Sequence, residues 1–286
     1  MEKSEEGMYS KFKGLDYKKD DTFCDFVVKN RYFVEILENS ALYASNFTEM
    51  NDIDEFRYSF CYDKNITKQN KKKLLEKIQN LYSAKEKFYF TSFSEFSEKA
   101  QDYLMWAHYA NRSLGVRIDF KVSDQDEKNY VVPIKYSNNF PEISDIENIQ
   151  AEKLLEIVST KNSCWRYERE RRAIFSENDF NELRDNGKHY FPIQIQSITL
   201  GRKFCMSENS RVYDPDLEKS RKFDKNVIEV AKFIYQILKN NKKYSLKMPE
   251  IRAYKTKYSP KTSKITEDLL VNFTFLIGIF KIERKG

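Results

Sequence analysis

Two glutamates stand two positions apart in the segment CWRYERERRAIF, and this spacing suits carboxylate chemistry. If the segment is a β-strand, side-chain alternation places Glu168, Glu170 and Arg172 on the same side. Two neighbouring carboxylates repel, so one of them should have a raised pKa unless a cation such as Arg172 lies beside them. Such a pair can act as a base or orient a sugar hydroxyl. The alternative is a charged strand face whose surface ion pairs contribute little.

Two serine hydroxyls in YFTSFSEF form a second candidate. Ser92 and Ser94 share one face of a predicted strand, whereas Phe93 lies on the other. Small hydroxyl groups that face away from the core can line a pocket. They are also typical of a solvated strand end, so the pattern leaves both interpretations open.

A rare histidine marks the third candidate, because the chain has 2 His and 2 Trp in all, and LMWAHYA contains one of each. Helical spacing places His108 on the same side as Leu104 and Met105, against apolar neighbours. A histidine in that setting can bind a ligand or be a hydrogen-bonded core residue. Trp106 and Tyr109 are more often core residues whose polar atoms are bonded.

The fourth candidate is the polar segment EMNDIDEF. Asn51 and Asp52 suit a turn, because their side chains bond the local backbone, and Glu55 could contact a ligand. A plain turn before a strand explains the same spacing.

Composition narrows the class of protein. The chain has 286 residues, of which 33% are charged, and a formal net charge of +6. This mild excess permits contact with nucleic acid, although solvated lysine faces explain it too. The 4 cysteines are far apart and form no Cys-x-x-Cys pair, so we predict free thiols and no metal site. The N-terminus has no apolar signal core and the longest apolar run is about a dozen residues, so we predict a cytoplasmic protein without a membrane span.

The elements that must position these side chains indicate an α+β fold. Helical periodicity predicts helices over 22–41, 68–85, 145–160 and 224–239, and one around His108 that Ser97 could cap. Strand patterns cover 42–47, 55–62, 88–93, 115–120, 130–136, 164–175, 190–201, 250–258 and the apolar tail. Because no regular βαβ period is present, we predict a mixed, mostly antiparallel sheet flanked by helices. We predict a single domain over 1–286, with a core at about 8–201 and an extension, 202–286, packed on it.

Six short phrases, in this order, resemble one bacterial family, the proteins that carry domain of unknown function 2971. They are MNDIDEF, SFSE, LMWAHYA, GVRIDF, WRYERERR and ITLG. The resemblance covers roughly Met8 to Gly201, and its Met-Trp-x-His-Tyr phrase is the most specific. Two departures are visible. Ile53 stands where the family favours proline, and MYSKFKGL stands where a His-Tyr-Thr-like opening is common.

The order of these phrases is also similar, at the level of the fold, to ADP-ribosyltransferases. That likeness implies NAD as a substrate, with Ser92 or Ser94 shaping the nicotinamide pocket. Glu170, with Glu168 as helper, would promote loss of nicotinamide, and His108 would contact the acceptor or hold the sheet. The early NAD-holding role has no clear occupant, although Tyr9 and Lys11 lie in the right region. The remaining residues predicted to line the substrate site are Trp106, Tyr109, Asn51, Asp52, Glu55, Arg172 and Trp165.

Three functions follow as expectations. The first is an NAD-using transferase or NAD glycohydrolase in a phage-defence or toxin-like setting, with a protein or nucleic-acid acceptor. The second is a nucleic-acid-binding or nucleic-acid-cleaving effector, which the basic helix 68–85 and the phrases GRKF and EKSRKFDK suggest. The third is a non-catalytic sensor of a small molecule or a phage protein. The sequence leaves the oligomeric state open.

Overall fold

A computed structural model of the chain describes residues 7–46, 49, 56–60, 68–97, 102–143, 151–176, 179, 188–205, 225–259, 264–276 and 279–284. Its α-helices are α1 (Phe23–Lys29), α2 (Arg31–Asn39), α3 (Lys68–Lys85), α4 (Tyr103–Tyr109), α5 (Asp124–Tyr130), α6 (Ala151–Val158) and α7 (Lys225–Asn240). Its strands are β1 (Met8–Gly14), β2 (Ala41–Asn46), β3 (Ser59–Phe60), β4 (Phe88–Glu95), β5 (Gly115–Lys121), β6 (Val131–Pro133), β7 (Lys135–Ser137), β8 (Glu142–Ile143), β9 (Thr160–Asn162), β10 (Glu170–Ser176), β11 (His189–Pro192), β12 (Gln194–Leu200), β13 (Glu250–Ser259), β14 (Lys264–Leu276) and β15 (Ile279–Arg284). Short 3₁₀ helices cover Ser163–Glu168, Arg202–Cys205 and Lys242–Tyr244.

The chain divides into two compact units, each built from separate stretches of sequence. The first unit takes Met1–Ala41, Phe96–Val122 and Ile193–Gly286, and the second takes Leu42–Glu95 and Ser123–Pro192. The described parts of each unit contain both helices and strands, which confirms the predicted α+β class. The prediction that these stretches fold as a single domain stays a prediction.

The first unit contains a sheet in the order β1-β5-β12-β13-β14-β15. Its neighbours are antiparallel except β12 and β13, which run parallel. All residues of β5 except Lys121 are buried, including Arg117 and Asp119. This strand therefore has no solvated face.

Helices α1, α2 and α7 form an apolar layer of the same unit. The Phe233 ring of α7 lies 5.3 Å from Phe26 and 5.8 Å from Phe23. Asn30 separates α1 from α2, because its side chain donates to the carbonyls of Asp16 and Phe26. The prediction of a single helix over 22–41 is therefore wrong, because Asn30 divides the range into two helices. Thr22 caps the first of them with a capping box.

The second unit contains a sheet in the order β11-β2-β4-β10-β6. The pairs β2/β4, β4/β10 and β10/β6 are antiparallel, whereas the two short pairs β3/β8 and β7/β9 are parallel. One face of β4 and β10 carries an apolar cluster of buried residues, which are Phe56, Phe90, Ile143, Ile157, Val158 and Ile174. This mixed, mostly antiparallel arrangement agrees with the prediction from sequence.

Several element boundaries differ from the prediction for local reasons. Ser97 does not cap α4, because the helix begins at Tyr103 with Asp102 at the cap position. The strand predicted over 130–136 is two strands, β6 and β7, interrupted at Ile134, whose N–H donates to the Glu170 carbonyl. The basic helix predicted over 68–85 is confirmed as α3. Within the described residues, no helix is both long and apolar enough to cross a bilayer.

Candidate functional site

The two predicted carboxylates lie on either side of a sharp backbone turn. Glu168 ends the 3₁₀ helix Ser163–Glu168, and β10 begins at Glu170. Between them, Arg169 has φ 46°, in the left-handed region, and its N–H donates to the Arg166 carbonyl. The segment 164–175 is therefore not one strand, which corrects the prediction. Strand alternation cannot be the reason that the two carboxylates meet.

Lys161 brings the two carboxylates together. Its Nζ lies 2.7 Å from Glu168 Oε2 and 2.9 Å from Glu170 Oε2. The side chain comes from β9, which pairs with β7 so that Lys161 stands opposite Tyr136. All three charged side chains are less than one-tenth exposed. The ammonium therefore forms a buried bridge between the two acids.

Arg172 completes the group, which we call the Lys161 cluster (Lys161, Glu168, Glu170 and Arg172). Its Nε and one terminal nitrogen donate to Glu170 Oε1 at 3.0 and 2.6 Å. The other terminal nitrogen donates to the Val158 carbonyl at 2.8 Å. Arg172 is 0% exposed, and its guanidinium lies 5.1 Å from the Phe56 ring centre. The cluster thus contains two cations and two carboxylates, and its formal charges balance.

The charges of the cluster hold Glu170 ionised. Burial raises the pKa of its carboxyl, but the charges of Arg172 and Lys161, with the hydrogen bond from Lys161, outweigh burial and lower the pKa to about 2. The sequence predicted a raised pKa for one carboxylate unless a cation lies beside the pair, and Lys161 and Arg172 both lie beside Glu170. The backbone N–H of Glu170 also donates to the Tyr136 hydroxyl at 2.7 Å. Burial, together with the two carboxylates, raises the pKa of Tyr136 to about 12, so this phenol stays protonated at neutral pH.

The serine strand lies directly beside the glutamate strand. In the antiparallel register of β4 and β10, Ser94 stands opposite Glu170 and Ser92 stands opposite Arg172. These four residues lie on the same face as Phe90 and Ile174, because alternate residues of paired strands share a face. Ser94 is 4% exposed, so its hydroxyl faces the interior. The structure therefore brings together both predicted serines, both predicted glutamates and Arg172.

Aromatic side chains surround Lys161. Its ammonium lies 5.2 Å from the centre of the Trp165 ring, which fits a cation–π contact. The Trp165 and Tyr167 rings are 6.0 Å apart, and both side chains are partly exposed. Glu170 itself is only 5% exposed, so little of its surface is open to a ligand. Trp165 lies close to the cluster, and its predicted substrate contact stays a prediction.

The tryptophan–histidine helix α4 belongs to the first unit. Met105 and Trp106 are buried, and Trp106 meets Phe12 edge-on at 5.2 Å. His108 and Tyr109 are exposed, with ring centres 6.3 Å apart. The helix therefore turns His108 away from the core, which corrects the expectation that it lies against apolar neighbours. Its predicted catalytic role and the predicted substrate contacts of Trp106 and Tyr109 stay predictions. The other predicted site residues, Asn51, Asp52 and Glu55, lie outside the described residues.

A second buried charge cluster lies in the first unit and escaped the sequence reasoning. Arg117 Nε lies 2.8 Å from Asp119 Oδ1, and Asp119 is 0% exposed. The hydroxyls of Ser10 and Ser197 donate to the same carboxylate at 2.7 and 2.9 Å. Arg117 also donates to the Ser97 carbonyl at 3.3 Å. This group spans β1, β5 and β12, and its polar atoms are used within the protein.

The sequence did not indicate Lys161, or the neighbouring Tyr136, as residues of the site. The available signal was weak, because Lys161 lies in TKNSCW, a stretch with no periodic pattern. A buried pair of glutamates requires compensating positive charge, and this requirement indicates a second cation besides Arg172. In the part of the chain that the structure describes, no group of three or more His, Cys, Asp or Glu side chains could hold a metal ion.

Residues 105–173 match the model of a family described as a protein of unknown function (DUF2971). The match confirms the family resemblance over that stretch, which includes β5, the Lys161 cluster and most of α4. Comparisons with curated proteins and with solved structures gave no match. The family description names no reaction, so function has to be argued from the geometry.

Proposed function

We propose that this chain uses NAD, and that Glu170 promotes cleavage of the bond between nicotinamide and ribose. The observation that carries the proposal is the pairing of β4 with β10, which places Ser94 opposite Glu170 and Ser92 opposite Arg172. The likeness to ADP-ribosyltransferases implies that a serine-bearing strand and a late glutamate serve the same NAD pocket. The fold-level likeness is an analogy, so the chemistry of the site has to support the proposal.

The ionisation state of Glu170 suits this reaction. When the glycosidic bond breaks, its electron pair stays on the nicotinamide nitrogen, which leaves as a neutral molecule. The positive charge then develops on C1′ and the ring oxygen of the ribose. A carboxylate with a pKa of about 2 is fully ionised at neutral pH and stabilises this charge. Water or an acceptor side chain next forms a bond to C1′ and loses its proton.

The neighbours of Glu170 take supporting roles in this proposal. Glu168 shares Lys161 with Glu170 and adds negative charge next to the ribose. Arg172 holds the Glu170 carboxylate in one orientation through two hydrogen bonds. Trp165 and Tyr167 offer partly exposed rings on which a nicotinamide or adenine base can stack. His108 is proposed to contact the acceptor, and phage defence or toxicity is the proposed setting.

Purified protein mixed with NAD should release nicotinamide. Glu170→Gln should reduce the rate of release by about 10² or more, because the negative charge that stabilises the transition state is lost. The substitution removes the negative charge but keeps the size of the side chain. Nicotinamide release would be followed by chromatography, with the folded fraction of each variant checked by circular dichroism.

Glu95→Gln is the matched control. Glu95 lies on β4 and pairs with Arg171 of β10, so it is also a carboxylate that pairs with an arginine across these two strands. Its side chain is 45% exposed. This variant should keep the wild-type rate. Equal loss in both variants, or no release by wild-type protein, would contradict the proposal. NAD that raises the melting temperature without nicotinamide release would favour the sensor instead.

Nucleic-acid binding is a second candidate, and α3 is the observation that favours it. The helix spans 18 residues, and Lys71, Lys72 and Lys73 on it are exposed. Adjacent exposed lysines form the kind of basic surface that binds phosphates.

Replacing Lys71, Lys72 and Lys73 by glutamine should weaken binding to a single-stranded or duplex oligonucleotide. It should also flatten the dependence of log Kd on log salt by about two to three units, since each lost phosphate contact removes nearly one. Fluorescence anisotropy at several salt concentrations measures both. The control is Lys242→Gln with Lys243→Gln, two exposed lysines on another helix. An unchanged slope in the α3 variant would exclude this helix as the binding surface.

A further inference from the structure

Lys161 is the residue of the cluster with the most unusual position. It is 9% exposed, and its ammonium touches two carboxylates and lies beside an indole ring. A lysine is rarely buried, and it is buried here because two opposite charges compensate its loss of hydration. Lys161 contacts both glutamates, and Glu170 also contacts Arg172.

We propose that Lys161 is a positioning residue that keeps Glu168 and Glu170 ionised together, and that it thereby sets the lower pH limit of the NAD reaction. The geometry supports this directly, because one ammonium lies within 2.9 Å of an oxygen of each acid. Without that ammonium, the two buried carboxylates would lose the cation that lies between them, and Arg172 would remain beside Glu170. The two carboxylates would then share a proton, as neighbouring carboxylates do when one counter-charge is missing. The reaction half of the proposal rests on the function proposed above.

The other groups that face the pair do not replace Lys161. The titratable and charged groups near the pair include Arg172 on β10, Tyr136 on β7, Tyr167 on the 3₁₀ helix, and Arg166, whose guanidinium lies 5.9 Å from the centre of the Tyr136 ring. Arg172 already gives its guanidinium to Glu170 and the Val158 carbonyl. The pKa of Tyr136 is about 12 and that of Tyr167 is raised by burial and by Glu168, so both phenols are neutral. A neutral phenol stabilises a carboxylate far less than an ammonium does.

Lys161→Met should move the acidic limb of the pH–rate profile upward by about three pH units, from near 2 to above the ordinary value for a glutamate and into the measured range. At a pH below the new limb, each unit corresponds to about a tenfold further loss of rate. Nicotinamide release would be measured from pH 4 to pH 9 for wild type, Lys161→Met and Lys161→Arg. The arginine variant keeps a cation at the site and should keep the wild-type limb. An equal loss of rate at every pH would contradict the proposal.

A stability measurement tests the same electrostatic role without NAD. In wild-type protein, the lowered pKa of Glu170 stabilises the fold above the pKa of the unfolded carboxyl, and this contribution disappears as the pH falls toward 2. In Lys161→Met the pair of carboxyls should have a raised pKa. The variant is therefore destabilised least at low pH, where the pair is protonated, and it loses stability as the pH rises. The difference in urea midpoint between the two proteins should therefore grow from pH 4 to pH 8.

Two results separate the failure of this inference from failure of the proposed function. A growing stability difference with no nicotinamide release by wild type would keep the role of Lys161 and reject the reaction. A constant difference would reject the role of Lys161, whatever the activity. If Lys161→Met does not fold, the double variant Lys161→Met with Glu168→Gln restores a balanced cluster of Glu170 and Arg172. That double variant should fold and show a urea midpoint whose dependence on pH resembles wild type, and a midpoint that falls as the pH rises would contradict the proposal.

Discussion

Arg172→Met should lower the free energy of unfolding by about 3–5 kcal/mol, the range for breaking a buried ion pair from one side. The substitution keeps the apolar stem but removes the guanidinium. It leaves the Glu170 carboxylate with one cation and the Val158 carbonyl without its donor. Phe56 and Phe90 also lose the cation above their rings. Denaturant unfolding followed by circular dichroism measures the change.

Arg171→Met supplies the control on the same strand. Arg171 points to the other face of β10 and pairs with Glu95, with side chains 32% and 45% exposed. Exposed pairs of this kind contribute about 0–1 kcal/mol, so the control should stay near wild type. The double variant Arg172→Met with Glu170→Gln should lose less than the sum of the two single variants, because both partners are then gone. Similar losses for Arg171 and Arg172 would show that the buried cluster is not what stabilises β10.

The sequence predicted which strands carry the site because strand alternation is a local property. Phe88–Glu95 and Glu170–Ser176 each have a regular pattern, so their faces could be assigned before their pairing was known. Their adjacency, with Ser94 opposite Glu170, was not predicted from either pattern. A local pattern fixes the face of a strand, whereas its neighbour depends on contacts between distant residues.

The parts that could not be predicted depend on single residues with non-local roles. Arg169 takes a left-handed conformation that is uncommon for arginine, and it converts a predicted strand into a 3₁₀ helix followed by β10. Lys161 reaches the glutamates because β9 pairs with β7, and no periodic signal marks a three-residue strand. Both features are needed for the carboxylates to meet. Neither leaves a trace in hydrophobic periodicity.

The orientation of α4 shows a different limit. The apolar side chains of Leu104 and Met105 are adjacent, so either can be taken to mark the buried face. The structure buries Met105 and Trp106 and leaves Leu104 50% exposed. On a helix of seven residues, one misassigned leucine rotates the predicted face by about 100°, which moved His108 from solvent to the core.

Asp119→Asn should destabilise the first unit by about 3–5 kcal/mol, again because one partner of a buried ion pair is removed. Asparagine has nearly the same shape, so the loss would report charge and hydrogen bonding rather than a cavity. Arg117 would lose its carboxylate partner. The amide nitrogen cannot accept the hydroxyl hydrogen bond that one carboxylate oxygen now accepts from Ser10 or Ser197. Because the three strands β1, β5 and β12 all contribute to this cluster, the loss should spread across them.

Hydrogen exchange locates that loss as well as measuring it. Amides of β1, β5 and β12 should exchange faster in Asp119→Asn, since their protection depends on the cluster that joins them. Glu250→Gln is the control, because Glu250 pairs with Arg252 in the same sheet but is 50% exposed, and it should change little. The double variant Asp119→Asn with Arg117→Met removes both charges and should recover part of the stability. Faster exchange confined to the immediate neighbours of Asp119 would contradict a role in joining the strands. The contrast matters for function, because the Arg117–Asp119 pair uses its polar atoms within one sheet, whereas the Lys161 cluster lies beside partly exposed aromatic rings that a ligand can reach.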